Sequence, residues 1–261
     1  MCLIALAVDA HPRYQLVVAA NRDEFFEREA RPADFWSEHP DLLAGRDLSA
    51  GGTWMGLTRQ GRFAALTNVR DPEQAKPNRP TRGHIVRDAL LTRDEEAFLE
   101  NLRSTRERYN GYNLLFGDVR RPRWYGNLLD ESKILEPGMH GLSNASLNTP
   151  WPKVERTRDA LAELLKSEPA DPAEAILAFL HDGTQAPRDQ LPDTGMGPEL
   201  ELFLSSAFIQ SEKYGTRCST ALLVEKSGKV TFLERTYLND GQVSGTARHE
   251  FNLSESMAAG A

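Results

Sequence analysis

The order of elements predicts an α+β fold, a four-layer αββα sandwich of antiparallel sheets with helices outside. Three observations predict it. Apolar, β-branched segments come in pairs joined by short polar turns, the pattern of antiparallel hairpins. Helical segments gather in the middle and later thirds and do not alternate with the strands, which disfavours βαβ units. The 261 residues can bury a substantial core, and with no repeat and no low-complexity linker, residues 1–261 read as one domain.

Leu3 to Val8 and Tyr14 to Ala20 form an opening hairpin around the polar segment Asp9 to Arg13. Ala30 to Ser49 reads as irregular, because Pro32 and Pro40 interrupt a strongly charged stretch. Gly51-Gly52 leads into a strand near Thr53 to Thr58, which turns at Arg59-Gln60-Gly61 and returns as Arg62 to Val69. Asp71 to Arg82, with its prolines and polar residues, is a surface loop long enough to suggest a functional role. His84 to Leu91 and Glu95 to Leu102 have helical spacing. Tyr112 to Gly117 and Arg123 to Tyr125 are a further strand pair. Val154 to Leu165 and Pro172 to Leu180 are amphipathic helices, with Pro152 and Pro172 where a first turn tolerates proline. Leu200 to Ile209 is another helical candidate. Thr220 to Glu225 and Lys229 to Arg235 form a hairpin around Ser227-Gly228, and Phe251 to Leu253 is a weak last strand.

Composition excludes several classes. Lys and Arg number 31 against 38 Asp and Glu, a net charge of −7, which argues against general binding to nucleic acid or anionic membrane. No apolar run approaches the roughly 18 residues of a spanning helix, so no transmembrane segment is expected. Two cysteines, Cys2 and Cys218, are too few for a disulfide framework. The apolar start lacks the charged region and cleavage site of a signal peptide, so the cytoplasm is the default compartment. The six histidines have no metal-ligand spacing. Of these, His84 and His140 flank the motif-bearing segments and are the better ligand candidates. Gly51-Gly52 lacks the Gly-Lys-Ser/Thr ending of a phosphate loop, and Gly195-Met196-Gly197 lacks the context of a dinucleotide site. No metal and no required cofactor is expected; the expected partner is a small-molecule or lipid-like ligand, and the oligomeric state is left open.

Cys2 reads in two ways. A cysteine packs well at the start of a core strand. If Met1 is removed, its thiol instead shares a residue with a free α-amine whose ordinary pKa of about 7.7–8.0 suits a base near neutral pH. Such a nucleophile needs an acid or amide to hold the amine, a cation to favour thiolate, and oxyanion donors. Asn21-Arg22-Asp23-Glu24, running off the strand paired with that of Cys2, is a polar strand end or the source of those groups. Strand alternation puts Asn21 and Asp23 on one face and Arg22 and Glu24 on the other.

Ala20-Asn21-Arg22-Asp23-Glu24-Phe25, with Arg31-Pro32 after it, resembles the signature of the NRDE family, also called the transport and Golgi organisation 2 family. Gly51-Gly52-Thr53-Trp54-Met55-Gly56, Gly141-Leu142-Ser143-Asn144, Thr149-Pro150-Trp151-Pro152-Lys153 and Tyr214-Gly215-Thr216-Arg217-Cys218-Ser219-Thr220 match in order. That family is similar to N-terminal nucleophile hydrolases of the choloylglycine hydrolase and penicillin V acylase group. The resemblance implies an αββα fold, Cys2 as nucleophile, Asn68 as oxyanion-hole residue, Asn144 as a second active-site asparagine and Arg217 as the late arginine. Those hydrolases space their arginine and aspartate as Arg-x-x-Asp, whereas Arg22 and Asp23 are adjacent; both are kept as candidates. Asn68 and Asn144 read equally as turn residues, Arg217 as the partner of a surface acid, and Trp54 and Trp151 as core or as walls of a ligand pocket. Asn21 and Glu24 complete the expected substrate contacts.

Two functions follow as expectations. One is an N-terminal-cysteine amidohydrolase acting on a linear, non-peptide C–N bond of a small or acyl amide. The other is a protein that binds and moves haem or an acyl-CoA or lipid in the same cleft, without chemistry.

Overall fold

The computed structural model describes residues 3–254; Cys2, the expected nucleophile, lies outside them. The opening hairpin is β1 (Leu3–Val8) and β2 (Tyr14–Phe25), and β2 runs on through the whole Asn-Arg-Asp-Glu motif. Two further strands, β3 (Ala30–Trp36) and β4 (His39–Asp47), occupy the stretch expected to be irregular. Pro32 is tolerated because β3 is a sheet edge and its pairing with β4 breaks register between Arg31 and Asp34. Next come β5 (Met55–Thr58), β6 (Arg62–Asn68), α1 (Gly83–Leu91), α2 (Glu95–Thr105), β7 (Tyr112–Asp118), β8 (Arg123–Gly126), β9 (Glu131–Ile134) and β10 (Gly138–Leu142). The chain ends with α3 (Pro152–Ser167), α4 (Pro172–Leu180), α5 (Pro198–Phe203), β11 (Tyr214–Glu225), β12 (Lys229–Tyr237) and β13 (Val243–Asn252).

Among the described residues the strands form two antiparallel sheets. One has the order β10-β1-β2-β11-β12-β13 and the other β3-β4-β5-β6-β7-β8-β9. Their facing surfaces bury Ile4, Leu6, Leu16 and Val18 against Leu57, Phe63 and Leu115. The outer face of the seven-stranded sheet packs Leu42, Ala64 and Leu114 against Val86 and Leu90 of α1 and Phe98 and Leu102 of α2. The outer face of the six-stranded sheet packs Ala5, Ala7, Ala19 and Ala221 against Leu161 of α3 and Ile176 and Leu177 of α4. Both faces of β1 are therefore buried, which explains its unbroken apolar sequence. The small alanines on its outer side let the helices lie close. The layering is αββα, as expected.

Local chemistry sets the ends of the helices. Asp94 caps α2 by accepting from the Ala97 N–H at 3.0 Å, and Asp171 caps α4 by accepting from the Ala173 and Glu174 N–H groups. The expected helix over Leu200 to Ile209 is helical only from Pro198 to Phe203. Beyond it the backbone is claimed elsewhere. Phe208 N–H donates to the Asp182 carbonyl, and Ile209 N–H donates to Thr216 Oγ1. Strand β10 gave little signal because it holds two glycines. Gly141 is required there: a Cβ would stand 2.4 Å from Val154 Cγ1 of α3.

Candidate functional site

The site grows from the C-terminal half of β2. Leu3 of β1 pairs with Asn21, while on the other side Cys218 of β11 pairs with Arg22 and Thr216 with Asp23. The register breaks between Thr216 and Cys218, leaving Arg217 as an extra residue in a bulge. The alternation is as expected: Asn21 and Asp23 turn to the helix-covered face, and Arg22 turns to the space between the sheets.

Asn21 is fully buried and works as a staple. Its amide donates to the carbonyls of Leu180 at 2.9 Å and Ala207 at 2.8 Å, and its Oδ1 accepts from Ser219 Oγ at 2.6 Å. It ties the end of α4 and the irregular segment after α5 to the sheet. Asp23 is buried on the same face and accepts from Thr216 Oγ1 at 2.7 Å. Trp151 stands at the start of α3 and packs on Leu3, Val154 and Ala207, with the Arg70 guanidinium 5.0 Å from its ring. Asn21 and Trp151 are thus built into the packing of the helix layer.

Arg22 is 4 % exposed. Its guanidinium lies over the Trp54 ring at 4.4 Å, and its Nη1 has no hydrogen-bond partner among the described residues. Arg22 and Trp54 together separate two cavities. The front cavity, about 270 Å³, is lined by Glu24, Arg28, Asp47, Asn68, Arg79 and Arg82 as well as by the pair. Arg28 holds Asp47 through Nε at 2.8 Å and Nη2 at 2.6 Å, and Asp47 in turn accepts from the Ser49 and Ala50 N–H groups. The wall is closed by a tight backbone contact: Thr53 N–H donates to the Gly83 carbonyl at 3.1 Å, and a Cβ on Gly52 would stand 2.4 Å from the Gly83 carbonyl carbon.

Asn68, Arg79, Arg82 and Asn110 are shared with a broader cleft of about 960 Å³ that runs beneath the 69–82 loop, with Lys76, Arg106, Tyr109 and Met196 in its walls. The loop expected from sequence to be functional thus roofs the cleft. Asn144 sets its position. The Asn144 amide donates to the Asn68 carbonyl at 2.9 Å, and its own carbonyl accepts from the Arg70 N–H at 2.8 Å. Arg70 then reaches the buried carboxylate of Glu201 at 2.5 Å, and Glu201 also accepts from the Thr194 hydroxyl. Asn68 and Asn144 are brought together, with Asn68 on the cavity and Asn144 behind it.

The third cavity, about 500 Å³, lies on the other side of the Arg22–Trp54 pair and reaches Arg217, Cys218 and Glu234. Arg217 Nη1 donates to the carbonyls of Phe25 at 2.7 Å and Arg28 at 2.8 Å, fixing the segment that follows β2. Burial, and then the charge of Arg22, lower the pKa of the Arg217 guanidinium. Burial, followed by the neighbouring Glu234, pushes the Cys218 thiol well up, so it is an inert core thiol at neutral pH. Sequence reasoning missed Glu234. It is 1 % exposed, accepts from the Ala33 N–H at 2.7 Å across the sheets, and has its pKa raised by burial. A signal was present: Val230 and Phe232 alternate inward, and Glu234 continues that parity. His84 and His140 are engaged with the carbonyls of Ala50 and Glu136. No group of three or more His, Cys, Asp or Glu among the described residues stands close enough to hold a metal. No helix among them is long and apolar enough to cross a membrane.

Comparison with known proteins agrees with the motif reading. The Transport and Golgi organisation 2 family matches residues 1–239. The mouse Transport and Golgi organization 2 homolog is 33% identical over 276 residues, spanning 98% of each chain. The human homolog is 35% identical over 275 residues, spanning 97% of this chain and 99% of its own. Solved structures similar to this one include the C2A mutant of the conjugated bile acid hydrolase from Clostridium perfringens, with a TM-score of 0.45 at 9% identity over 97% of this chain and 98% of that one. A Caenorhabditis elegans ortholog of N-acylethanolamine-hydrolyzing acid amidase gives a TM-score of 0.41 at 10% identity over 85% and 92%. With the motif strands in order and relatives a third identical from end to end, the chain belongs to the Transport and Golgi organisation 2 family.

Proposed function

We propose that the protein is an N-terminal-cysteine amidohydrolase acting on a linear, non-peptide C–N bond of a small or acyl amide. The observation that carries this reading is the placement of Arg22. A buried guanidinium with an unpartnered nitrogen faces two cavities, and Leu3, the residue after Cys2, pairs with its neighbour Asn21. A cation so placed favours thiolate over thiol and attracts the developing oxyanion.

The mechanism requires loss of Met1. The Cys2 α-amine takes the thiol proton, and the thiolate attacks the amide carbonyl. Asn68, which lines the front cavity, donates to the oxyanion, a contribution of about 3 kcal/mol to the barrier. Asn144 acts through Asn68 by holding its carbonyl. The α-ammonium returns its proton to the leaving nitrogen as the C–N bond breaks. Water, deprotonated by the amine, then cleaves the thioester to a carboxylic acid and the free thiol. Arg217 fixes the end of β2, and Asp23, next to Arg22 in the motif, is the acid assigned to hold the amine. A reducing, cytoplasmic setting suits such a thiol.

The test is intact mass combined with an N-acyl amide panel. The expected result is loss of Met1, turnover, and an acyl adduct on Cys2 that is absent from Cys2→Ala. Retained Met1, or no turnover and no adduct on any amide, overturns the reading.

One observation favours a second reading, binding and delivery of an acyl-CoA or haem. The 960 Å³ cleft carries the cations Lys76, Arg79, Arg82 and Arg106 against the acids Asp71, Glu73 and Glu107, an excess of positive charge suited to phosphates or propionates on a chain of net charge −7. Retention on acyl-CoA resin that survives Cys2→Ala, or a haem spectrum unlike that given by an unrelated acidic protein, supports it.

A further inference from the structure

We infer that the cavity behind the Arg22–Trp54 pair is a second ligand chamber, built to take a carboxylate carried on an apolar body. It is distinct from the front cavity, with which it shares only Arg22 and Trp54 as a wall. Its volume of about 500 Å³ falls within the roughly 300–1,000 Å³ range of small-molecule sites. Phe26, Pro32, Trp54 and Tyr237 supply the apolar walls.

Two guanidiniums supply the recognition. Arg22 Nη1 and Arg217 Nε are buried and have no hydrogen-bond partner among the described residues. Both side chains line this chamber. Arg22 lies over the Trp54 ring, and Arg217 donates to the carbonyls of Phe25 and Arg28, so two like charges stand in one wall. A carboxylate seated against both guanidiniums brings one negative charge and two acceptor oxygens and offsets their mutual repulsion. The acid in the wall, Glu234, does not already serve that purpose. Its oxygens are engaged by the Ala33 N–H at 2.7 Å, the Thr220 hydroxyl at 3.3 Å and the Cys218 thiol; burial, the largest effect, raises its pKa even though the Arg22 charge acts the other way. The inference does not rest on the chemistry proposed for Cys2, since the chamber binds whether or not an amide is cleaved.

The test is calorimetric titration of the whole chain with decanoate, decanol and decylammonium. Decanoate binds, and each of the others is at least about tenfold weaker, the equivalent of one charge-assisted hydrogen bond. Ala30→Trp, on a strand of one sheet, and Ser244→Trp, on a strand of the other, fill the chamber, and each weakens decanoate by at least about tenfold. Thr81→Trp narrows the front cavity and leaves decanoate binding unchanged. Thermal melts confirm that the variants are folded. In the unaltered protein, nuclear Overhauser contacts from the decanoate methylenes fall on the Tyr237 and Phe26 rings. The inference is overturned by decanol or decylammonium matching decanoate, by binding that is lost in Thr81→Trp, or by contacts confined to Tyr109 and Phe25 of the broad cleft.

Discussion

Glu201→Ala tests whether the roof of the cleft is held by one buried ion pair. The Glu201 side chain is 3% exposed and that of Arg70 8%, with the two charges 2.5 Å apart. Removing the acid leaves a buried guanidinium without its counter-charge, and breaking a buried pair from one side costs about 3–5 kcal/mol. Arg70 keeps a contact to Asn144 Oδ1 at 3.4 Å and lies over the Trp151 ring at 5.0 Å, so the lower end applies, about 3 kcal/mol. For a chain of this size that corresponds to a fall in Tm of about 6–12 °C. Urea unfolding by circular dichroism gives the free energy directly. The paired replacement Arg70→Met with Glu201→Leu removes both charges and is expected to recover most of the loss. A single variant that loses less than about 1 kcal/mol, the range of exposed pairs, would refute the claim that this pair is buried and structural.

Three further outcomes are expected. Asn21→Ala strands the carbonyls of Leu180 and Ala207 and the Ser219 hydroxyl, and chemical unfolding should show a loss of about 3 kcal/mol. Iodoacetamide at pH 7.5 should leave Cys218 unmodified in the native protein and label it only in denaturant, because burial raises its thiol pKa; peptide mass mapping distinguishes it from Cys2. The hydrogen bond from Arg13 holds the Glu225 carboxyl below its ordinary value, so the pair stabilises the fold above the unfolded-state value of about 4.3 and loses that effect as pH falls through the folded value. Arg13→Gln should therefore cost less than about 1 kcal/mol at pH 6, and the difference from the unaltered protein should vanish toward acid.

Much of the architecture was legible because burial imposes periodicity. The strands β1, β2, β7, β11 and β12 and the helices α3 and α4 announce themselves through apolar runs or 3.6-residue spacing. Strands β3 and β4 were hidden by Pro32, Pro40 and surface charge, features that an edge hairpin tolerates and an isolated sequence window does not explain. Strand β10 was hidden because two of its five residues are glycines, one of which, Gly141, makes room for Val154 of α3. At the site, the two-residue period of a strand is enough to separate Asn21 and Asp23 from Arg22. The roles of Asn144 and Glu201 were not readable, because each acts on a loop distant in sequence.

The motif's two opposite charges, next to each other in sequence, occupy different environments only because a strand sends successive residues to opposite sides. Their identity is therefore one of parity. Writing the pair in the reverse order would keep composition, net charge and strand propensity, yet it would drive a guanidinium into the helix layer and leave a carboxylate under the Trp54 ring. A single-residue deletion between Tyr14 and Ala20 would do the same to every side chain downstream in that strand, so insertions belong in the Asp9 to Arg13 turn, where the sheet does not count them.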